Sequence, residues 1–337
     1  MPPRQSAHSR RKMILAPCFL LIALILVGAA GQDACAGEVL QRVKAHGIVR
    51  CSGAVRPGLA KRDAGGHWQG IEVDVCRAVA EAVLGSADRM EFSAWDALPE
   101  GKKEIGADIA FLTGSEIADN RLAGRVLPGP VVYIESHGIM VPENSSVEKA
   151  SGLSGKGICY MTGSRVEQSL EAYFDTMHQG WLRRAFSEEG EMMDAYLARN
   201  CQALAGERTA LASIRQVRGV DQRQSRILPD SLVDFPVLAA TGANDGQWAA
   251  IVAWTVHSLI SGEERQSPWR PGGAGAMPVE AQELGLEKGW QSRVLQAVGS
   301  YGDIYERNLG RQSPLALERR LNAGHADGGL LLSPFLE

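Results

Sequence analysis

The sequence has no acidic residue before Asp33 and no long apolar run after Ala30. Arg4, Arg10, Arg11 and Lys12 instead make the start basic, the run Met13–Ala30 is almost wholly apolar, and Ala34-Cys35-Ala36 has a small residue on either side of a cysteine. A basic segment, an apolar run and a small-x-small site are typical of a secretory signal peptide. The pattern predicts cleavage after Ala36 and a periplasmic mature protein. An uncleaved membrane anchor is the alternative, because the run approaches the roughly 18 residues of a membrane-spanning helix.

Several motifs of enzymes and metalloproteins are missing. The sequence contains no CxxC pair, no glycine-rich phosphate loop and no Ser/His/Asp order typical of a hydrolase. The seven histidines are scattered, and only His137, on a long extended run, merits a test as a cleft residue. We therefore expect a protein that is not an enzyme and that holds no metal and no cofactor.

The composition excludes few other classes. Hydrophobic residues make up 45% of the chain and charged residues 22%, which suits an ordinary packed core. The net charge of −4 includes the basic leader, so the mature chain is more acidic, which argues against a nucleic-acid partner. Removal of 36 of the 337 residues leaves 301, enough for two domains at roughly 150 residues each. We expect a monomer.

Four of the six cysteines, Cys51, Cys76, Cys159 and Cys201, lie after the leader. Four cysteines allow three pairings, and in an exported chain an even number indicates disulfides. Their order favours Cys51–Cys76 and Cys159–Cys201, since each pair then lies within one half of the protein. A zinc site is the alternative, but the spacings are long for one.

Segments typical of strands alternate with segments typical of helices along the mature chain. The predicted strands are Gly47–Cys51, Met90–Phe92, Ala107–Phe111, Gly157–Met161 and Cys201–Ala205. One predicted helix begins after Asp74 as its cap, and another begins at a Ser164–Glu167 capping box. Three more are predicted over Met192–Leu197, Trp248–Ile260 and Trp290–Leu309. Val131–Val141 and Val237–Ala240 are extended runs that we expect to cross between halves. This alternation predicts an α/β fold with mostly parallel sheets.

Several segments of the mature chain carry a family resemblance: His67–Ala80 (HWQGIEVDVCRAVA), Gly138–Pro142 (GIMVP), Gln247-Trp248, Ile251–Thr255 (IVAWT), Tyr301–Asn308 (YGDIYERN) and Ser313–Leu315. Through them the sequence resembles the general L-amino-acid-binding proteins of polar amino-acid ABC importers, within solute-binding protein family 3. The similarity covers nearly all of the mature chain. The four cysteines also fall where this family carries its pairs.

The resemblance implies a two-lobed periplasmic-binding-protein fold of type II, with two strands crossing at a hinge. Lobe 1 is expected at residues 37–138 plus 239–337, and lobe 2 at residues 139–238. It also implies a small polar solute, such as an amino acid, held in the interlobe cleft as the lobes close, and delivery to the transmembrane subunits of an ABC permease.

The resemblance further implies a set of ligand-binding residues. An arginine suits a carboxylate because its planar fork pairs two oxygens, and Arg121 stands at the family's position for this role, after a stretch that contains Thr113. From lobe 2, Gly163, Ser164 and Arg165 open a helix whose free N–H groups favour an anion. Arg165 stands where relatives have a second threonine. For Ser164 an ordinary N-cap is a compatible alternative role.

For the ammonium group, the family's aspartate position holds Glu207, a carboxylate one methylene longer. A solvated loop glutamate is the alternative reading of Glu207. Relatives place an aromatic side chain against the ligand at the position of Trp95, for which core packing is the alternative.

Phe111, Gly114 and Glu116 interrupt the hydroxyl-rich stretch usual in relatives. Glu116 is expected either to repel a carboxylate or to select a basic side chain, so the solute stays open at this point. Two other functions stay open as well. One is a sensor or accessory protein with a diverged pocket, and the other is a dehydratase or lyase in which Glu116 and Glu207 serve as acid and base.

Overall fold

The computed structural model describes residues 37–95, 106–120, 122–217, 225–264 and 281–334. The predicted leader, residues 1–36, lies outside these ranges. Within them, no helix is both long and apolar enough to cross a membrane.

The described ranges contain the following helices: α1 Glu38–His46, α2 Ile71–Leu84, α3 Gly114–Asp119, α4 Arg165–Thr176, α5 Glu189–Leu197, α6 Arg208–Val217, α7 Gly246–Glu264, α8 Trp290–Val298 and α9 Tyr301–Asn308. The strands are β1 Val49–Gly53, β2 Lys61–Arg62, β3 Trp68–Gln69, β4 Met90–Ala94, β5 Ile109–Thr113, β6 Val126–Leu127, β7 Val131–Pro142, β8 Gly157–Met161, β9 Leu182–Phe186, β10 Ala203–Glu207, β11 Ser225–Ile227 and β12 Val233–Gly242. The α/β class is as predicted.

Eight strands follow one another across the main sheet in the order β4-β1-β5-β12-β7-β10-β8-β9. The strands β4, β1 and β5, which we name the first strand group, are mutually parallel, as are β10, β8 and β9, the second strand group. Between the groups, β7 and β12 run antiparallel to each other over most of their length. These two long strands are therefore the segments that cross from one group to the other.

The apolar run of β5 is buried along its whole length, because the strand lies inside the sheet and its alternate side chains pack into two different hydrophobic clusters. The largest hydrophobic cluster surrounds the first strand group and includes Trp248 and Trp290. All of its fully buried members except Ala212 come from residues 40–133 or 237–331. Two further clusters, formed within residues 139–232, pack on either side of the second strand group.

Each strand group has one disulfide bond. Cys51 of β1 is bonded to Cys76 of α2, and Cys159 of β8 is bonded to Cys201, just before β10. This is the pairing that the order of the cysteines predicts. Each bond fastens an element beside a strand to its own group, so neither restricts movement of one group relative to the other.

Two predicted helices differ from those observed. Helix α2 begins at Ile71, one turn before the predicted cap, and Asp74 instead binds Arg77, Arg307 and Asn308. The predicted helix Trp290–Leu309 is two helices, because Ser300 and Asp303 form a capping box that starts α9. Strand β10 begins at Ala203 rather than Cys201, and β12 is longer than the predicted crossing.

Candidate functional site

A cavity of about 670 Å³ lies between the two strand groups, against the crossing strands. Parallel α/β sheets bind ligands beyond the carboxyl ends of their strands, and this cavity has that position. β5 ends at Thr113, and β10 ends at Glu207. The lining residues are Arg56, Thr113, Gly114, Ser115, Glu116, His137, Arg165, Gln168, Ser169, Ala172, Glu207, Leu232, Val233, Phe235, Pro236 and Leu238.

Arg56 brings a buried positive charge to the cavity. It follows the end of β1 by three residues and is only 8% exposed. Its Nη2 donates to Glu116 Oε1 at 2.6 Å, and its Nε lies 3.9 Å from Glu207 Oε2. Its Nη1 is buried and has no hydrogen-bond partner among the described residues. The guanidinium therefore joins carboxylates from both strand groups and keeps one N–H-bearing nitrogen unused.

Glu116 is held in place by the start of α3. Its Oε2 accepts from the backbone N–H of Thr113 at 2.7 Å and from the Thr113 hydroxyl at 3.0 Å, and the Glu116 N–H donates back to Thr113 Oγ1. This reciprocal capping box fixes the carboxylate on the cavity wall. Both oxygens of Glu116 are thus engaged, one by the cap and one by Arg56, which favours a positioning role over proton transfer.

Of the two glutamates that line the cavity, Glu207 is the one with acceptor capacity to spare. Its side chain has one ion pair and no hydrogen bond among the described residues, the ion pair being the 3.9 Å approach of Arg56 Nε. Burial raises the pKa of the Glu207 carboxyl, and Glu116 adds to this effect while Arg56 opposes it. A cationic or N–H donor group in the cavity would stabilise the ionised form of Glu207.

Two further carboxyls are buried close to this charge cluster. Glu72 lies on α2 against Gly53, where a Cβ would come within 2.0 Å of Glu72 Oε2, so a larger residue at position 53 would displace this carboxyl group. Neither oxygen of Glu72 has a hydrogen-bond partner within the described ranges, and burial raises its pKa to about 8. Glu135 of β7 accepts from Thr209 Oγ1 and from the N–H of Ser136, and burial raises its pKa to about 7.

His137 belongs to the wall formed by the crossing strands. Its Nδ1 lies 2.8 Å from Ser169 Oγ on α4, and its ring meets the ring of Phe235 edge-on at 5.0 Å. Burial, with a smaller effect of Arg165, lowers its pKa to about 4. The imidazole is therefore neutral at pH 7, and it ties β7 to α4 and to β12 rather than adding charge.

Arg165 and Asp119 form an ion pair across the cavity mouth. Arg165 is the first residue of α4 beside the second strand group, and Asp119 is the last residue of α3 beside the first. Both side chains are more than half exposed, at 51% and 62%, so water weakens their attraction.

The predicted site residues divide into three sets. Thr113, Arg165 and Glu207 line the cavity. Gly163, Ser164 and Trp95 are not among the lining residues. Arg121 lies outside the described residues.

The three residues away from the cavity wall have local contacts of their own. The Ser164 hydroxyl accepts from Glu167 N and donates to Met161 O, while Gly163 N donates to Glu167 Oε2. Ser164 is thus an N-cap, but the predicted capping box is incomplete, because the Glu167 carboxylate accepts from Gly163 rather than from Ser164. Trp95 packs against a small hydrophobic cluster, as its alternative role predicts.

Sequence reasoning missed Arg56. The residue stands in a turn, Arg56-Pro57-Gly58, just after the first strand. That position was itself a signal, since a side chain just beyond the carboxyl end of a parallel strand faces the usual ligand crevice. Within the described ranges, no group of histidine, cysteine, aspartate and glutamate side chains is arranged to hold a metal ion.

No protein-family model matches the chain. The chain is 32% identical over 327 residues to the general L-amino acid-binding periplasmic protein AapJ of Rhizobium johnstonii, which covers 91% of this chain and 95% of the relative. It is 27% identical to the glutamate/glutamine/aspartate/asparagine-binding protein BztA of Rhodobacter capsulatus, over 93% of this chain and 96% of the relative.

Among solved structures, an ABC transporter periplasmic binding protein from Brucella ovis with glutathione bound matches with a TM-score of 0.69. It is 28% identical, and the match covers 87% of this chain and 97% of that one. The two-lobed periplasmic-binding-protein fold of type II is therefore the fold of this chain.

Proposed function

Because the chain belongs to the family of amino-acid-binding periplasmic proteins of ABC transporters, we propose that it captures an amino acid, or a similar small polar solute, in the cavity and presents it to an ABC permease. The observation that carries this proposal is the charge arrangement of the cavity. Arg56 and Glu116 face it from the first strand group, and Arg165 and Glu207 face it from the second. A zwitterion needs groups of both signs, and here they come from both sides of a cleft.

The lobes of this proposal are residues 37–138 plus 239–337 and residues 139–238. The separate hydrophobic clusters around the two strand groups support this division. β7 and β12 are then the hinge, and a bound solute brings the lobes together.

The ammonium group of the solute binds Glu207 in this proposal. Glu207 combines an unused acceptor with a partly buried position, so pairing with a cation offsets the cost of removing its carboxylate from water. Thr113 and Arg165 complete the wall as polar contacts. Arg121 stays in the proposal as a carboxylate partner on the family resemblance alone, and Ser164, Gly163 and Trp95 act as support around the site.

The proposal is tested by a thermal-shift screen of the mature protein against the common amino acids, short peptides and polyamines, followed by calorimetry on each hit. A solute that binds the folded state raises the melting temperature by mass action. A rise for at least one amino acid or small peptide is the expected result. No rise for any of them, with the protein folded, contradicts the proposal.

Glu207→Gln tests the ammonium contact. Removing one partner of a buried charge pair costs roughly 2–5 kcal/mol, so we expect the affinity for the best amino acid to fall about thirtyfold or more. Glu207→Asp should recover part of the loss. Glu148→Gln, an exposed change that is also in residues 139–238, is the matched control and should leave the affinity unchanged. Equal calorimetric affinity for Glu207→Gln and the wild type would exclude Glu207 as the ammonium partner.

A further inference from the structure

Arg56 lines the proposed binding cavity, and one nitrogen of its guanidinium group is buried without a hydrogen-bond partner among the described residues. The side chain is 8% exposed, and its Nη1 finds no acceptor in the described part of the chain. A buried N–H donor left unpaired destabilises the structure, and an acceptor supplied by a solute would remove that cost. Arg56 is therefore placed to touch the solute, although the family resemblance assigns it no role.

The position of this guanidinium is fixed before any solute arrives. Glu116 binds Nη2 at 2.6 Å and is itself fastened by the capping box of α3. Glu207 lies 3.9 Å from Nε. Since two of the three guanidinium nitrogens face carboxylates, Nη1 is the nitrogen that remains to donate a hydrogen bond to a solute.

The surroundings of Arg56 decide which acceptor is favourable. Its single positive charge interacts with Glu116, Glu207 and the buried Glu72. The side chains of Glu116 and Glu207 both approach Arg56, so two acidic groups already share one basic group. A carboxylate of the solute placed on Nη1 would add a third acidic group to this cluster, and juxtaposed like charges repel each other. An uncharged carbonyl oxygen accepts the same hydrogen bond without that repulsion.

The wall beside Arg56 suits an amide in a second respect. Glu207 Oε2 lies 3.9 Å from Arg56 Nε, and the two oxygens of its carboxylate can accept from an amide N–H group as well as from the ammonium group. Leu232, Phe235 and Leu238 also line the cavity and can cover methylene groups of the solute.

We propose that Arg56 is a specificity-determining residue whose Nη1 donates to the amide carbonyl of the solute, so that the site selects a side-chain amide over a second carboxylate. Glu116 is the positioning residue that holds the guanidinium. This inference rests on the proposed function. The solutes that fit this description have an α-amino and an α-carboxyl group and, further along the side chain, an amide carbonyl. Glutamine, asparagine and γ-glutamyl peptides such as glutathione are examples.

The test compares isosteric ligands by calorimetry on the wild-type mature protein at pH 7. Glutamine is expected to bind at least tenfold more tightly than glutamate, and asparagine more tightly than aspartate. Comparing the affinities for glutathione and glutamine shows whether a peptide or a free amino acid supplies the amide. A glutamate affinity equal to or above that of glutamine overturns the inference and leaves the proposed function standing, as does a tightest ligand that has no amide carbonyl. Absence of all binding overturns the proposed function itself.

Arg56→Met removes the guanidinium group and so tests its hydrogen bond to the amide carbonyl of the solute. The affinity for the best amide ligand should fall tenfold or more, whereas the affinity for norleucine, which has no side-chain carbonyl, should change less than threefold. A purely structural role of Arg56 would weaken both ligands equally and would overturn the inference. Arg62→Met, an exposed arginine of β2, is the matched control and should leave both affinities unchanged. The wild-type comparison stays decisive if Arg56→Met does not fold.

Discussion

Glu72 is a carboxyl group that the fold buries without giving it a hydrogen bond from the described residues. Burial raises its pKa to about 8 in the folded state, while the ordinary value is 4.5. The folded chain thus holds this proton more tightly than the unfolded chain does. The stabilisation from the proton is complete below about pH 4.5 and is lost as the pH rises toward 8.

Glu72→Gln should therefore change the pH dependence of stability. Between pH 5 and pH 8 the wild type should lose roughly 3 kcal/mol of unfolding free energy through Glu72, at about 1.4 kcal/mol for each pKa unit. The neutral glutamine removes this contribution, so the variant should have the flatter profile. Urea unfolding at both pH values measures it. Glu148→Gln, at an exposed position, should keep the wild-type profile, and parallel profiles for wild type and Glu72→Gln would contradict the prediction.

At the scale of single residues, the site was predictable in part. Glu207 and Thr113 were found because they end strands at positions that the family resemblance marks, and Glu116 was found as a charge in a hydroxyl-rich stretch. Arg56 was missed, since its pairing with Glu116 joins segments 60 residues apart in the chain. Ser164 caps its helix, as its alternative role predicts, because its hydroxyl accepts from the N–H of Glu167.

At the scale of elements, alternation of apolar and polar residues located most helices and strands. This pattern did not predict helix boundaries that local hydrogen bonds determine. The apolar pattern runs through Val298 and Tyr301 without a break, but the reciprocal hydrogen bonds of Ser300 and Asp303 start a new helix there. Helix α2 begins at Ile71, earlier than its pattern suggests. Asp74, the predicted cap, lies inside the helix and accepts hydrogen bonds from Arg307 and Asn308 of α9.

Asp74 is the link between α2 and α9. It is 3% exposed and accepts from Arg307 Nε at 2.9 Å, from Asn308 Nδ2 at 2.6 Å and from Arg77 Nη1 at 2.9 Å. Asp74→Ala leaves these donors without their acceptor. Breaking a buried ion pair costs about 3–5 kcal/mol, and the partly exposed arginines place this case near the lower end.

The expected loss is measured as the unfolding free energy in urea. Asp74→Asn keeps the shape and should lose less than Asp74→Ala. Asp88→Ala, at an exposed position that follows α2, should stay within about 0.5 kcal/mol of the wild type. A stability of Asp74→Ala equal to that of Asp88→Ala would show that the link between α2 and α9 contributes nothing.

At the scale of the whole molecule, we propose export with removal of residues 1–36 and formation of both disulfides outside the cytoplasm. Intact mass of the protein expressed with its own leader should correspond to a chain that begins at Gly37. Its four cysteines should resist alkylation until a reductant is added. A mass that retains Met13–Ala30, or thiols that react without reduction, would contradict this prediction.

The two disulfides should each stabilise the molecule to a similar extent. The sequence separations are 25 and 42 residues, and loops of this size correspond to about 3–4 kcal/mol of restricted unfolded-chain entropy. Replacing both cysteines of one pair by alanine should lower the unfolding free energy by up to this amount. An unchanged urea midpoint after such a replacement would contradict the estimate for that bond.

The largest hydrophobic cluster takes its side chains from both ends of the mature chain, from residues 40–133 and from residues 237–331. A chain that is threaded through a membrane with its N-terminus leading delivers Leu40 and Val79 long before Trp290 and Leu331. The two clusters within residues 139–232 have all their side chains available once residue 232 has crossed, before Trp290 and Leu331 arrive. Contacts between distant segments form slowly, and incomplete cores expose apolar surface. In the export proposed above, the core around the first strand group is therefore expected to be completed last, with its apolar surface exposed until the final helices arrive.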